Sequence, residues 1–122
     1  MTEIQEVSCD YIKIKMPILY RKNKEDSILV DDLDMALFNV LKSGAEIPAI
    51  ENKEIIFTIF YNSNTVQSFI RDNDNYCIKG VINTIVRYLR STDSGDSTWL
   101  SLKTVILDNI ENHTIIEIKK RD

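Results

Sequence analysis

The segment KEIIFTIFY, residues 53–61, carries large apolar side chains on both of its alternating sets of positions. These side chains are Ile55, Ile56, Phe57, Ile59 and Phe60. A strand with two apolar faces is typical of the middle of a sheet that is covered on both sides. We therefore predict a central strand here, with Phe57 and Ile59 in or near the core.

The residues before this strand predict another strand and a helix. Apolar and basic side chains alternate within residues 9–19, which is the pattern of a half-buried strand that ends at Pro17. Residues 28–42 repeat apolar side chains at the spacing of one helical face. Asp31 and Asp32 suit the first turn of that helix, where the helix dipole favours negative charge.

The residues after the central strand predict a second helix and two further strands. Helical spacing runs through residues 75–90, and strand patterns follow at 100–107 and 114–118. Residues 108–112 are polar and fit a hairpin between those two strands. We expect Trp99 in the core, and His113 on the surface of the hairpin.

Together these elements give the order β-α-β-α-β-β in one domain that spans residues 1–122. This is an α+β fold with a four-stranded mixed sheet and two helices. The 122 residues are enough to bury a core without disulfides or a structural metal.

The composition of the chain indicates where the protein resides and which metals it could bind. No apolar run reaches the roughly 18 residues that a membrane span requires. Cys9 and Cys77 are too few for a disulfide framework, so we expect a reducing, cytoplasmic location and no membrane association. One histidine and two cysteines cannot make a zinc site, so any bound metal should have oxygen ligands.

The sequence Arg71-Asp72-Asn73-Asp74-Asn75 lies between a strand-like run and the second predicted helix. Two carboxylates two residues apart can chelate a hard cation such as Mg²⁺ or Mn²⁺. Another acidic cluster, with Asp93 and Asp96, follows the helix. Both clusters have a simpler interpretation, because Asp, Asn and Gly are favoured in helix caps and turns. By the same reasoning, Asp31, Asp32 and Asp34 form a solvated helix start.

Basic side chains are the candidate contacts to nucleic acid. The net charge of −4 argues against binding to phosphates, but the positive charge is clustered. The candidates are Lys13, Lys15, Arg21, Lys22 and Lys24, with Arg71 beside the acidic pair.

These features together resemble the RusA family of Holliday junction endonucleases. That family has an Arg-Asp-x-Asp-Asn motif after a strand, a lysine early in the next helix, and a further aspartate in the turn beyond it. Arg71–Asn75 fits the first element, Lys79 the second, and Asp96 the third, with Asp93 as the alternate. The resemblance extends from about Ile12 to Ile118.

The resemblance implies a homodimer that nicks two strands of a branched, four-way DNA junction symmetrically, in DNA recombination or repair. It also implies the site residues. Asp72, Asp74 and Asp96 would bind Mg²⁺ or Mn²⁺, Lys79 would contact the scissile phosphate, and Arg71 would position the DNA backbone. The reaction would be metal-dependent hydrolysis of a phosphodiester.

A different class of function remains open. A small acidic α+β protein could be a non-enzymatic interaction module, such as an immunity or inhibitor protein, whose carboxylates imitate phosphates. The acidic charge favours this alternative, whereas the ordered set of Arg71, Asp72, Asp74, Lys79 and Asp96 favours the nuclease.

Overall fold

A computed structural model of the chain describes residues 2–18, 25–48, 50, 52–65, 78–89 and 98–120. The strands in these residues are β1 (Glu3–Val7), β2 (Tyr11–Met16), β3 (Lys53–Asn62), β4 (Thr98–Leu107) and β5 (His113–Lys120). The helices are α1 (Glu25–Lys42) and α2 (Ile78–Leu89). The fold is therefore α+β, as predicted. Within the described residues, no helix is long and apolar enough to cross a membrane.

The five described strands form one mixed sheet in the order β1-β2-β5-β3-β4. β3 is antiparallel to β5 on one side and parallel to β4 on the other. Because both edges of β3 are paired, its backbone donors and acceptors are satisfied inside the sheet. The prediction of an inner strand at residues 53–61 is confirmed, and Phe57 and Ile59 are fully buried.

Both described helices pack on the same face of the sheet, which we call the helix face. It carries Ile14 on β2, Phe57 on β3 and Ile116 on β5, and all three are fully buried. The helices add apolar side chains at helical spacing to the same cluster, namely Leu33, Leu37, Val81, Ile85 and Leu89. The core thus forms between the helices and the sheet, because each contributes one apolar surface.

The prediction of four strands was wrong, because β1 adds a fifth. β1 pairs antiparallel with β2, and its Ile4 and Val7 pack against the core. A shift of register between Ile4 and Glu6 places these two apolar residues three positions apart on the same face. A bulged strand of this kind lacks the strict alternation by which strands are recognised. The observed order of the described elements is β-β-α-β-α-β-β.

The predicted hairpin at residues 108–112 was also wrong. β4 and β5 lie on opposite sides of β3, so this segment crosses the end of β3 instead of making a tight turn. The Asn62 backbone N–H donates to Asn112 Oδ1 at 2.6 Å, and the Asn62 side-chain amide donates to the Ile110 carbonyl at 2.7 Å. Asn109 adopts a left-handed conformation, with φ of 58°, which asparagine tolerates better than most residues.

Two expectations about single residues are corrected by the structure. Trp99 is 52% exposed on β4 and does not belong to the core. α1 begins at Glu25, so Asp31 and Asp32 lie beyond its first turn and are not a helix start. Asp32 instead accepts a hydrogen bond from the Thr2 backbone N–H at 2.8 Å, which ties α1 to the residue that precedes β1.

The position of Phe57 gives a direct test of the core. Phe57→Ala should lower the free energy of unfolding by about 3–5 kcal/mol, because it removes a fully buried ring from beneath the helices. Chemical denaturation followed by circular dichroism would measure the loss. Phe38→Ala is the matched control, since Phe38 is 52% exposed on α1 and its loss should cost less than about 1 kcal/mol. Equal losses in the two variants would contradict this core.

Candidate functional site

Most of the predicted catalytic set lies outside the described residues. This holds for the motif Arg71–Asn75, with Asp72 and Asp74, and for Asp96. It also holds for three of the predicted DNA contacts, Arg21, Lys22 and Lys24. The described residues that bear on the site are therefore Lys79, Lys13, Lys15 and the elements that flank the acidic segments.

Helix α2 separates the two acidic segments along the chain. Arg71–Asn75 precedes its first residue, Ile78, and residues 93–96 follow its last residue, Leu89. Its 12 residues span about 18 Å. Ligands of one divalent cation lie within about 2.0–2.6 Å of the metal. Asp96 can therefore join Asp72 and Asp74 only if the chain returns along α2 or if a second subunit supplies the third carboxylate.

Lys79 lies in the first turn of α2, and its side chain is exposed. Asn83 and Arg87 follow it at intervals of four residues and are exposed as well. Residues four apart share one side of a helix, so these three side chains form a row that we call the α2 cationic row. Val81 and Ile85 are buried in the core and hold the other side of the helix against the sheet.

Only Lys79 of the α2 cationic row was expected from the sequence. The four-residue interval from Lys79 to Asn83 and Arg87 was a signal that could have identified the other two. Two positive side chains and an amide on one exposed helix side can bind phosphate oxygens by charge and by hydrogen bonds.

Lys13 and Lys15 lie on the face of the sheet opposite the helix face, and both are half-buried. Lys13 is directly opposite Glu6 on β1 and Glu117 on β5. Lys15 is directly opposite Glu3 on β1. Opposite charges at facing positions of neighbouring strands attract each other. These lysines therefore lie among carboxylates that offset their positive charge.

Tyr11 is part of the same charged region. Its hydroxyl donates a hydrogen bond to Glu117 Oε2 at 2.7 Å. Burial of the phenol, the hydrogen bond to Glu117 and the negative charges of Glu117 and Glu6 together raise the pKa of Tyr11 to about 12. The hydroxyl thus stays protonated and occupies one oxygen of Glu117.

Tyr88 fixes the end of α2 against α1. Its hydroxyl donates to the Asp34 carboxylate at 2.8 Å and lies 3.0 Å from the Asp34 carbonyl oxygen. Burial raises the pKa of Tyr88, the Asp34 carboxylate raises it too, and Arg87 acts against them. Asp34 is therefore a structural anchor for the helix that carries Lys79, and not a solvated residue as the sequence suggested.

His113 has a packing role at the start of β5. Its ring stacks on Phe60, with the two ring centroids 4.8 Å apart and the planes 11° apart. Its Nδ1 lies 2.7 Å from the Glu111 carbonyl oxygen. Because a carbonyl can only accept, Nδ1 carries the proton in this contact.

Among the residues that the structure describes, no group of three or more His, Cys, Asp or Glu side chains is placed to hold a metal ion. The predicted ligands Asp72, Asp74 and Asp96 all lie outside that part of the chain. Their carboxylate oxygens are the donor type that Mg²⁺ and Mn²⁺ prefer.

A model of a family of unknown function (DUF6100) matches residues 1–120. A search of curated proteins found no match to the chain.

The Tyr11 hydrogen bond predicts how stability changes at alkaline pH. Its folded pKa of about 12 lies above the ordinary value of 10, so folding favours the protonated phenol. Its contribution should be constant below pH 10 and should disappear as the pH rises from 10 towards 12. Tyr11→Phe should lower the free energy of unfolding by about 1 kcal/mol at pH 7 and less at pH 12. Denaturation at several pH values would measure the difference.

Glu117→Gln is the companion variant, because it keeps a hydrogen-bond acceptor but removes the charge. Glu117→Gln should lower the pKa of Tyr11. Titration of the phenolate absorbance would measure that pKa, with the spectrum of Tyr11→Phe subtracted to isolate the signal of Tyr11. If wild type and Tyr11→Phe differed in free energy of unfolding by the same amount at pH 7 and at pH 12, this role of Tyr11 would be contradicted.

Proposed function

Because the chain belongs to this family of unknown function, its activity must be inferred from its own residues, and we propose that it is a metal-dependent endonuclease that cleaves branched DNA. The observation that carries the proposal is the ordered set of Arg71, Asp72, Asp74 and Lys79, in which the lysine is exposed on the first turn of α2. The activity would be hydrolysis of phosphodiester bonds in four-way junctions during recombination or repair.

Asp72, Asp74 and Asp96 would hold Mg²⁺ or Mn²⁺ in this proposal. The bound cation would supply positive charge at the scissile phosphate and would favour attack by water. All three proposed ligands are hard oxygen donors, so the residue types suit these ions better than zinc or copper. Asp93 is the alternate third ligand.

Lys79 would offset the negative charge that develops on the phosphate oxygens. Its exposure on α2 supports this role, because a side chain that contacts a large substrate must be accessible. Asn83 and Arg87 extend the same side of the helix, so the α2 cationic row could follow the DNA backbone past the cleavage point. Arg71 would position that backbone next to the acidic pair.

The remaining predicted DNA contacts fall into two groups. Lys13 and Lys15 lie opposite carboxylates on the sheet, so we assign them a smaller part in DNA binding than the α2 cationic row. Arg21, Lys22 and Lys24 keep their proposed role as phosphate contacts. The net charge of −4 opposes DNA binding, so binding should need the bound cations. The contacts between cationic side chains and phosphates should make binding weaken with added salt.

The enzyme would act as a homodimer, because a four-way junction is symmetric and must be cut at two equivalent positions. We place it in the cytoplasm, which agrees with the two scattered cysteines of the sequence.

Cleavage of a synthetic four-way junction tests the proposal. The purified protein with Mg²⁺ should nick the junction symmetrically and leave a linear duplex of the same sequence intact. Asp72→Asn should abolish cleavage but preserve the fold and junction binding, because it removes a metal-binding charge with little change in shape. Lys79→Ala should slow cleavage about 10²- to 10³-fold. Gel analysis of end-labelled strands measures both effects.

Lys42→Ala is the matched control for Lys79→Ala, since Lys42 is an exposed lysine in the last turn of α1. It should cleave at the wild-type rate. Thermal unfolding with and without Mg²⁺ adds an independent measurement, because a ligand that binds the folded state raises the Tm. A protein that neither cleaves nor is stabilised by Mg²⁺ or Mn²⁺ would contradict the nuclease and favour the acidic interaction module.

A further inference from the structure

β4 is the last described strand on its side of the sheet, and it pairs with β3 over ten residues without a shift of register. The Ser63 N–H donates to the Leu107 carbonyl at 2.9 Å, so the backbone of Leu107 is directed towards β3. Backbone groups alternate between the two edges of a strand. Even-numbered residues of β4, such as Leu102 and Thr104, therefore direct their N–H and C=O groups towards the outer edge.

Large apolar side chains on β4 are about half exposed, although those on the helix face have buried neighbours on β3. On the helix face, Leu102 is 41% exposed beside Phe57 at 0%, and Ile106 is 47% exposed beside Tyr61 at 0%. The helices therefore cover β3 and leave β4 uncovered. The exposed set on both faces of the strand comprises Trp99, Leu100, Leu102, Ile106 and Leu107.

The other described edge of the sheet has the usual protection against pairing. β1 is five residues long, contains a register shift after Ile4, and carries Glu3 and Glu6. Short length, a bulge and charge are the features by which edge strands avoid added strands. β4 is twice as long, and Lys103 is its only charged residue. This contrast indicates that β4 is built to pair with another strand.

We propose that β4 pairs antiparallel with β4 of a second copy of this chain, around a two-fold axis at Leu102. An antiparallel pair of identical strands is isologous, so both copies use the same surface and the assembly closes as a dimer. The two five-stranded sheets would join into one sheet of ten strands. This inference concerns β4 and does not depend on the nuclease activity.

The side chains of β4 select this register. With the axis at Leu102, this residue opposes its own copy, Ser101 opposes Lys103 of the second copy, and Trp99 opposes Val105 of the second copy. An aromatic side chain opposite a β-branched one is a favourable cross-strand pair. An axis at Lys103 would set two lysines opposite each other in a close pair, with Cα atoms about 4.5 Å apart. An axis at Ser101 would leave fewer residues of β4 paired with the second copy.

The backbone agrees with the same register. Leu102 directs its N–H and C=O outwards, so the two copies of Leu102 can exchange two hydrogen bonds across the axis. Leu100 then faces Thr104 of the second copy, and these residues also direct their backbone groups outwards. A second copy thus pairs with the outer backbone edge of β4 and sets side chains beside the apolar ones on both faces.

The area of the patch is consistent with a dimer of moderate affinity. The exposed apolar side chains of β4 offer on the order of 400 Å² per copy, which is half of the ~800 Å² that each partner contributes to a standard interface. The paired backbone of β4 and the aliphatic parts of Lys103 and Thr104 add to this buried area.

Sedimentation of the full chain tests the proposal. Wild type at tens of micromolar should have the mass of two 14.1 kDa chains. Leu102→Lys should raise the dimer Kd at least about 100-fold, because it sets two charges against each other at the axis. Met35→Lys is the matched control, since Met35 is 59% exposed on α1, and this variant should remain dimeric. A monomeric wild type, or a dimer that Leu102→Lys leaves intact, would overturn the proposal.

Cross-linking tests the register without relying on a destabilised variant. In a background with Cys9 and Cys77 changed to Ser, Leu102→Cys should form a disulfide-linked dimer on mild oxidation, because the two copies of residue 102 face each other. Thr104→Cys should not, because its two copies would be displaced by four residues along the strands, about 13 Å. Faster cross-linking through Thr104→Cys would overturn this register.

The two proposals fail in different ways. A monomer that cleaves junctions would refute pairing through β4 and the proposed homodimer, but it would leave the assignment of Asp72 and Lys79 standing. A dimer through β4 that binds no metal and cuts no DNA would refute the nuclease only.

Discussion

Pairing of β3 on both of its edges is the interaction on which the rest of the structure depends. Ten residues of β3 bond to β4 on one side and eight to β5 on the other, so this apolar strand buries its backbone without unsatisfied groups. Its side chains Ile55, Phe57, Ile59 and Tyr61 then form the floor on which α1 and α2 pack. β4 and β5 pair with β3 directly, and β2 and β1 follow β5 in the sheet.

Because β3 lies between β4 and β5, it also determines the path of the connection from β4 to β5. The connection after Leu107 has to cross the end of β3 before β5 can begin at His113. Asn62 and Asn112 stabilise that crossing through hydrogen bonds, and His113 stacks on Phe60 directly after it. The parallel arrangement of β3 and β4 in turn requires a crossover through α2, which carries Lys79 on its exposed side.

The same architecture distributes charge unevenly over the described surface. Strand pairing sets Lys13 and Lys15 opposite glutamates, so their charge is offset within the sheet. α2 instead presents Lys79 and Arg87 to solvent and is anchored by the Tyr88–Asp34 hydrogen bond. For an acidic protein that we propose to bind DNA, an anchored helix with exposed cations is a better phosphate contact than lysines already paired with carboxylates.

Local pattern was sufficient to predict the elements whose periodicity is strong. The alternation of Ile12, Ile14 and Met16 and the helical spacing in α1 and α2 each follow from contact with one covering surface. The apolar run at 53–61 follows from an inner position in the sheet. The same patterns could not give the position of β1, whose bulge breaks alternation, or the separation of β4 from β5. Strand order depends on contacts between residues far apart in sequence, which periodicity does not encode. For the same reason the sequence could propose Lys79, Asp72 and Asp74 by their spacing but could not predict that Trp99 is exposed, that Lys13 faces Glu117, or that Asp34 anchors Tyr88. Those outcomes depend on which strands become neighbours and on how far the helices extend over the sheet.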